Sequence, residues 1–283
     1  MSPLNKKTGF IGAGNMGEAF VGAIIKSNLL SPSIIYVSDI NEKRLAIFRS
    51  NYGISATNDN IKLFSKCDII ILAVKPQLIN KVLTEITKQK DYRIADKKLI
   101  ISIAAGIPLR KIEDLLYTPL DEKSRTKLPI IRVMPNTPAL VLAGMSGMSA
   151  NRYASVEDVN IARTILKAMG KVIEFNEDDL DAVTALSGSG PAYVFYLIES
   201  MIEGGINAGL NPNDAYTLTI ATLKGSLALI EDLNESPETL RKKVTSPGGT
   251  TEAAFKILEN NRVKQNIIDA IAAAALRSKE LSA

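Results

Sequence analysis

Hydrophobic positions along the first 175 residues follow two rhythms. Short unbroken runs rich in β-branched residues occur at 8–12 (TGFIG), 34–38 (IIYVS), 68–74 (DIIILAV), 99–104 (LIISIA), 130–134 (IIRVM) and 171–175 (KVIEF). Runs of this length, bounded by polar residues, Gly or Pro, predict strands buried on both faces of a parallel sheet. Between them the apolar residues take a helical period. Residues 15–29 set Met16, Phe20, Ile24 and Leu29 near one side, and 41–51 and 77–89 are amphipathic too. Strand–helix alternation at this spacing predicts an α/β domain.

From about 176 no strand-like run follows, and the chain reads as helices over 177–187, 191–208, 212–231, 237–244 and 250–281. Pro191, Pro212 and Pro237 stand at helix starts, where proline is tolerated. The segment 191–208 is apolar on most faces and so demands cover. A helical domain of ~108 residues is too small to bury this much apolar surface alone. Partner subunits are therefore expected to cover it, with packing on the N-terminal domain as the alternative. The polar, basic stretch 117–129 (YTPLDEKSRTKLP) is expected to be a surface loop.

Composition narrows the chemistry. At 46% hydrophobic and 23% charged, the 283 residues are neither disordered nor fibrous. A net charge of +4, from 34 basic and 30 acidic residues, is too balanced for a nucleic-acid surface. The uncharged window 133–151 holds two prolines and two glycines, too polar to span a bilayer, and the N-terminus has no apolar stretch suited to a signal peptide. No membrane partner is expected, and the setting is expected to be cytoplasmic. There is no His and one Cys, Cys67, which excludes an intramolecular disulfide, zinc fingers and histidine-dependent nucleophiles. No metal site is expected.

GFIGAGNMG places Gly12, Gly14 and Gly17 in G-x-G-x-x-G spacing between a predicted strand and a predicted helix, the context of a dinucleotide-binding turn. Gly12 allows the tight turn, Gly14 lets a pyrophosphate approach, and Gly17 lets helix and strand pack closely. The helix N-terminus supplies N–H groups and positive potential. Asp39 closes the second strand, where a carboxylate would bond ribose hydroxyls and disfavour a 2′-phosphate, or else cap the helix starting near Asn41. Lys43 and Arg44, one turn on, could attract that phosphate. Lys75 and Pro76, in AVKPQ, fall at a carboxyl strand end, where such folds bind ligands. Two further motifs are rich in small residues: LSGSGPAY (186–193) and TSPGGTTEAA (245–254). In the second, Pro247, Gly248 and Gly249 form a turn, and Thr250 and Thr251 open a helix. Its amides and hydroxyls suit a carboxylate, although a plain N-cap would use the same residues.

GFIGAGNMG, AVKPQ, RVMPNTPA, TALSGSGPAYVF and VTSPGGTT, in this order, resemble pyrroline-5-carboxylate reductase, over nearly the whole chain. The resemblance implies reduction of a cyclic imine, 1-pyrroline-5-carboxylate, to L-proline by NADPH or NADH. It also implies a Rossmann-type NAD(P)-binding domain (1–175) followed by an all-helical substrate-binding and dimerisation domain (176–283). The helical domain would interlock as a homodimer that assembles further, commonly to a decamer. Carried over position by position, it gives the cofactor Ile11, Gly12, Ala13, Gly14, Asn15, Met16 and Gly17 at the pyrophosphate. Ser38 and Asp39 would lie by the adenine ribose, Asn60 with Ala73, Val74, Lys75 and Pro76 along the groove, and Ala104, Ala105 and Gly106 near the nicotinamide. It gives the substrate Ser187, Ser246, Pro247, Gly248, Gly249, Thr250 and Thr251, with Thr251 nearest the imine nitrogen and catalytic. Asp39 stands where many relatives carry Asn, Ser or Arg.

Two other readings stay open. A β-hydroxyacid-type dehydrogenase would share the glycine turn, but would want a lysine acid/base, for which Lys224 is the one lysine in the mid-domain helices, and it leaves SPGGTT unexplained. A nucleotide-binding regulator without turnover is the other.

Overall fold

The computed structural model describes residues 4–90 and 92–282. Eight strands form one sheet in the order β3-β2-β1-β4-β5-β6-β7-β8. They are β1 (Thr8–Ile11), β2 (Ile35–Ser38), β3 (Ser55–Thr57), β4 (Ile69–Leu72), β5 (Leu99–Ser102), β6 (Ile130–Pro135), β7 (Gly144–Ala150) and β8 (Gly170–Glu174). All neighbours are parallel except β6 and β7. Helices α1 (Asn15–Lys26), α2 (Glu42–Tyr52), α3 (Asn60–Lys66), α4 (Ile79–Thr87), α5 (Leu109–Tyr117), α6 (Glu122–Arg125) and α7 (Val156–Lys167) connect them.

Side chains alternate across the pleat, so the central strands β1, β4, β5 and β6 each feed two cores. Phe10, Val37, Ile69, Ile71, Leu99, Ile101 and Ile131 pack with Phe20 and Ile24 of α1, Phe48 of α2 and Ile165 of α7. Ile11, Ile70, Leu72, Ile100 and Ile130 pack on the other face with Leu63, Leu83, Ile86, Ile112 and Leu116. Cover on both faces explains why these central strands read as unbroken apolar runs. Cys67 is buried in the second core.

Several expectations need correction. The uncharged window holds β7, which the sequence does not announce. The expected loop 117–129 contains the short helix α6, and its Leu120 and Leu128 are buried, because two leucines in a polar segment anchor it to the core. The expected helix over 250–281 is two helices, α12 (Thr250–Asn260) and α13 (Val263–Ser282), broken at Arg262, whose φ is 53°.

The chain divides into two units. One runs to Ser189 and takes in the chain again from Ala274; the other is Gly190–Ala273. The first also contains α8 (Leu180–Val183), followed by a π-turn over Thr184–Gly188. The second is built from α9 (Gly190–Asn207), α10 (Pro212–Leu233), α11 (Pro237–Lys243), α12 and the first part of α13. Within this chain α9 has no buried residue, and Val194, Phe195, Tyr196 and Leu197 are all exposed.

Candidate active site

Strands β2 and β4 lie on either side of β1, so the connection after β1 turns one way and that after β3 the other. The crevice at the carboxyl ends of β1 and β4 is where sheets of this topology take dinucleotides. Ile11–Gly17, Ser38, Asp39, Ala73–Pro76 and Ala104–Gly106 all lie at or just beyond the carboxyl ends of adjacent strands. Asn60 joins them from the start of α3, its Oδ1 accepting the Ser38 hydroxyl at 2.8 Å.

The three glycines differ in what excludes a side chain. At Gly12, with φ of 110°, a Cβ would stand 2.6 Å from the Ala73 carbonyl oxygen. At Gly17 it would stand 2.7 Å from the Gly12 carbonyl oxygen. At Gly14 it would meet no protein atom within 4 Å. Protein packing thus requires the first and third glycines, whereas Gly14 faces open space, where the lack of a side chain leaves room for a ligand to approach the backbone. It is also the N-cap of α1 and makes no side-chain cap. The first N–H groups of a helix lack intrahelical partners and carry the positive end of its dipole. The turn therefore fits the pyrophosphate of a dinucleotide.

Side chains fix that turn. The Ala13 N–H donates to Asp39 Oδ2 at 2.7 Å, and the Ala13 carbonyl accepts from Arg44 Nε at 2.6 Å. Asp39 Oδ1 accepts from the Asn41 N–H at 2.8 Å. Arg44 continues to Glu18 Oε2 at 2.5 Å, and Glu18 Oε1 accepts from the Tyr52 hydroxyl at 3.2 Å. Burial and the Glu18 charge both raise the Tyr52 pKa. Asp39 is not the N-cap of α2; that is Asn41, whose side chain accepts from the Lys43 and Arg44 amides. Arg44, expected to be able to attract a 2′-phosphate, here spends Nε on the Ala13 carbonyl and Nη2 on Glu18, two of its five N–H groups.

Gly106, with φ of 70°, turns the chain after β5. A Cβ there would be 3.4 Å from Leu281 Cβ, so the end of α13 lies against this loop. The loop's far end is held by Glu177, whose Oε1 accepts from the Leu109 N–H at 2.6 Å and from Arg132 Nη1 at 3.1 Å. Arg132 is 5% exposed and lies 3.9 Å from Asp181. Sequence reasoning missed this cluster, although an arginine inside the run IIRVM is itself a sign of a buried ion pair.

Of the substrate residues, Ser187 lies in the first unit on the π-turn, its hydroxyl accepting from Asn136 Nδ2 at 3.3 Å. Ser246–Thr251 lie in the second unit, at the N-terminus of α12. Not every amide of that turn is open to a ligand. The Gly248 N–H donates to Glu252 Oε2 at 2.8 Å and the Gly249 N–H to the Ser246 carbonyl at 3.0 Å. Gly249, the N-cap, provides no side-chain cap, so the first-turn amides of α12 are the ones a carboxylate would meet. Among the described residues, no three or more His, Cys, Asp or Glu side chains gather where they could hold a metal ion.

Comparison with known proteins settles the family. Residues 177–281 match pyrroline-5-carboxylate reductase dimerisation, and residues 7–106 match NADP oxidoreductase coenzyme F420-dependent. A pyrroline-5-carboxylate reductase of Corynebacterium melassecola is 39% identical over 96% of this chain and 97% of its own. The chain belongs to the pyrroline-5-carboxylate reductase family. A solved member from Coxiella burnetii, 37% identical, superposes over 99% of this chain and 100% of its own with a TM-score of 0.87. Another, from Plasmodium falciparum and solved with NADP bound, is 32% identical over 99% of both chains, with a TM-score of 0.86. Reductases of this family therefore share both the sheet and the helical region described above.

Proposed function

We propose that this protein reduces 1-pyrroline-5-carboxylate to L-proline with NAD(P)H, the final reduction in proline biosynthesis. The observation that carries this reading is the full-length match to a curated reductase, which spans both the glycine turn and the 245–251 turn. Ile11–Gly17, Ser38, Asp39, Asn60, Ala73–Pro76 and Ala104–Gly106 are assigned to the cofactor. Ser187 and Ser246–Thr251 are assigned to the substrate, with Thr251 as the catalytic hydroxyl.

When bound, the reduced nicotinamide supplies the hydride. The chain's own residues supply position. The first-turn amides of α12 would anchor the substrate carboxylate and so fix which ring face is presented. Holding two reactants in register can lower a barrier by roughly 7–11 kcal/mol. Without histidine, the Thr251 hydroxyl or solvent serves the imine nitrogen, and a protonated imine already accepts hydride well.

We further assign 1–175 to cofactor binding and 176–283 to substrate binding and dimerisation, a division supported by the dimerisation match over 177–281. The apolar side chains exposed on α9 support a homodimer, and higher assembly such as a decamer is proposed on the family's pattern. The small-molecule substrate, the balanced charge and the absence, among the described residues, of a helix able to cross a membrane support a cytoplasmic enzyme without nucleic-acid or membrane partners. Oxidation of NADH or NADPH with the cyclic imine tests the assignment. Absence of turnover with both cofactors, alongside turnover of a 3-hydroxy acid, would overturn it.

A further inference from the structure

We propose that the adenosine end of this groove selects NADH over NADPH, with Asp39 reading the ribose and Arg44 positioning the phosphate turn instead of binding a 2′-phosphate. The inference rests on the cofactor reading above and goes beyond it in choosing between the two cofactors.

Asp39 uses one lone pair on each oxygen to hold backbone, through the Ala13 and Asn41 amides. A carboxylate has about four acceptor sites, so about two remain for hydroxyl donors. The 2′- and 3′-hydroxyls of a ribose are such donors. A 2′-phosphate offers acceptor oxygens and negative charge to the same carboxylate. Because both oxygens are tethered, the side chain cannot swing away from that charge without releasing the turn.

The arginine that bonds the same turn is already engaged. Arg44 directs Nε to the Ala13 carbonyl and Nη2 to Glu18, with its guanidinium carbon 5.8 Å from the centre of the Phe48 ring. Turning it towards a phosphate would strip the Ala13 carbonyl and leave the Glu18 carboxylate, which also accepts from Tyr52, without this cation. Asp39, Glu18 and Arg44 together present two negative charges against one positive. Lys43 is exposed on the first turn of α2, where solvent screens its attraction.

Calorimetric titration of the full-length protein with NADH and with NADPH tests this without turnover. Wild type should bind NADH at least about tenfold tighter, since ~1.4 kcal/mol makes a decade and a nearby like charge exceeds it. Asp39→Asn, which removes the charge and keeps the shape, should narrow that ratio. Arg44→Ala should weaken both cofactors by a similar factor and leave the ratio unchanged, measured well below its melting temperature. NADPH binding wild type as tightly as NADH overturns the proposal, and so does Arg44→Ala losing NADPH selectively. Unchanged binding of both cofactors by Arg44→Ala, with only a lower melting temperature, removes its positioning role. If wild type binds neither cofactor, the cofactor reading itself falls, an outcome distinct from a wrong preference.

Discussion

Ser278 donates its hydroxyl to Asp181 Oδ1 at 2.6 Å, joining residues 97 positions apart, both buried. The bond fastens the end of α13 to the segment that carries Glu177 and Asp181, the two carboxylates around Arg132. The same end of the helix abuts Gly106 through Leu281. Ser278→Ala should lower stability by about 1.5–3 kcal/mol, the range for hydrogen bonds to charged groups. Denaturant unfolding measures it, and a change below about 0.5 kcal/mol, the range of inert surface substitutions, would count against the role.

The glycine turn separates folding from binding. Gly12→Ala forces a Cβ against the Ala73 backbone at a φ of 110° and should destabilise by at least about 1–3 kcal/mol. Gly14→Ala meets no protein atom within 4 Å, so its melting temperature should hold while the KM for cofactor rises. A melting curve and cofactor kinetics on both variants check the contrast.

Thr251→Ala removes the hydroxyl assigned to the imine nitrogen. A net hydrogen bond of about 0.5–1.5 kcal/mol corresponds to a loss in kcat/KM of up to about tenfold. The start of α12 should survive, since Gly249 is its N-cap and Glu252 still braces the Gly248 amide. A loss above a thousandfold would make Thr251 an obligatory proton donor; unchanged hydride transfer in single-turnover kinetics would remove it from the mechanism.

Asp158 completes a capping box with Ser155 and pairs with Lys97 at 2.7 Å. Burial alone would raise its pKa, but the hydrogen bonds from Lys97 and Ser155 outweigh this and hold the carboxyl below its ordinary 3.8. A depressed carboxyl contributes stability that is fully present above the unfolded value and lost as pH falls through the folded one. Asp158→Ala should therefore melt earlier than wild type at neutral pH, by about 1 kcal/mol for the cap. The gap should close below pH 3.8; one that persists unchanged there would point to packing instead.

The exposed apolar side chains of α9 and α10 predict a dimer or larger species at micromolar concentration, with an interface above ~2,000 Å². Light scattering that returns an active monomer would refute it.

The central strands were legible because burial on both faces writes an unbroken apolar run, whereas the edge strand β8, with no buried residue, was read from its Val-Ile pair. β7 was not, since GMSGMSA lacks β-branched residues. Its smallness has a packing cause: a Cβ at Gly144 would come within 2.8 Å of Ala139, and at Gly147 within 2.8 Å of Val183. β3, only three residues long, gives too short a pattern to read. The break at Arg262 carries no Gly or Pro to mark it. In the site, glycine spacing located the turn, yet the two bonds pinning Ala13 span 26 and 31 residues and belong to tertiary structure. For Arg132 and Glu177, 45 residues apart, periodicity likewise gave no pairing.

The burial of Cys67 has a kinetic corollary. Loss of hydration pushes its thiol up to about 12, and the chain has no imidazole. The side-chain types whose ordinary pKa values lie nearest neutrality are thereby removed from the enzyme's acid–base repertoire. An inflection in log kcat/KM between about pH 6 and 8 would accordingly come from no imidazole or thiol, and one that tracks the pKa of the free imine would make the rate profile a titration of the substrate.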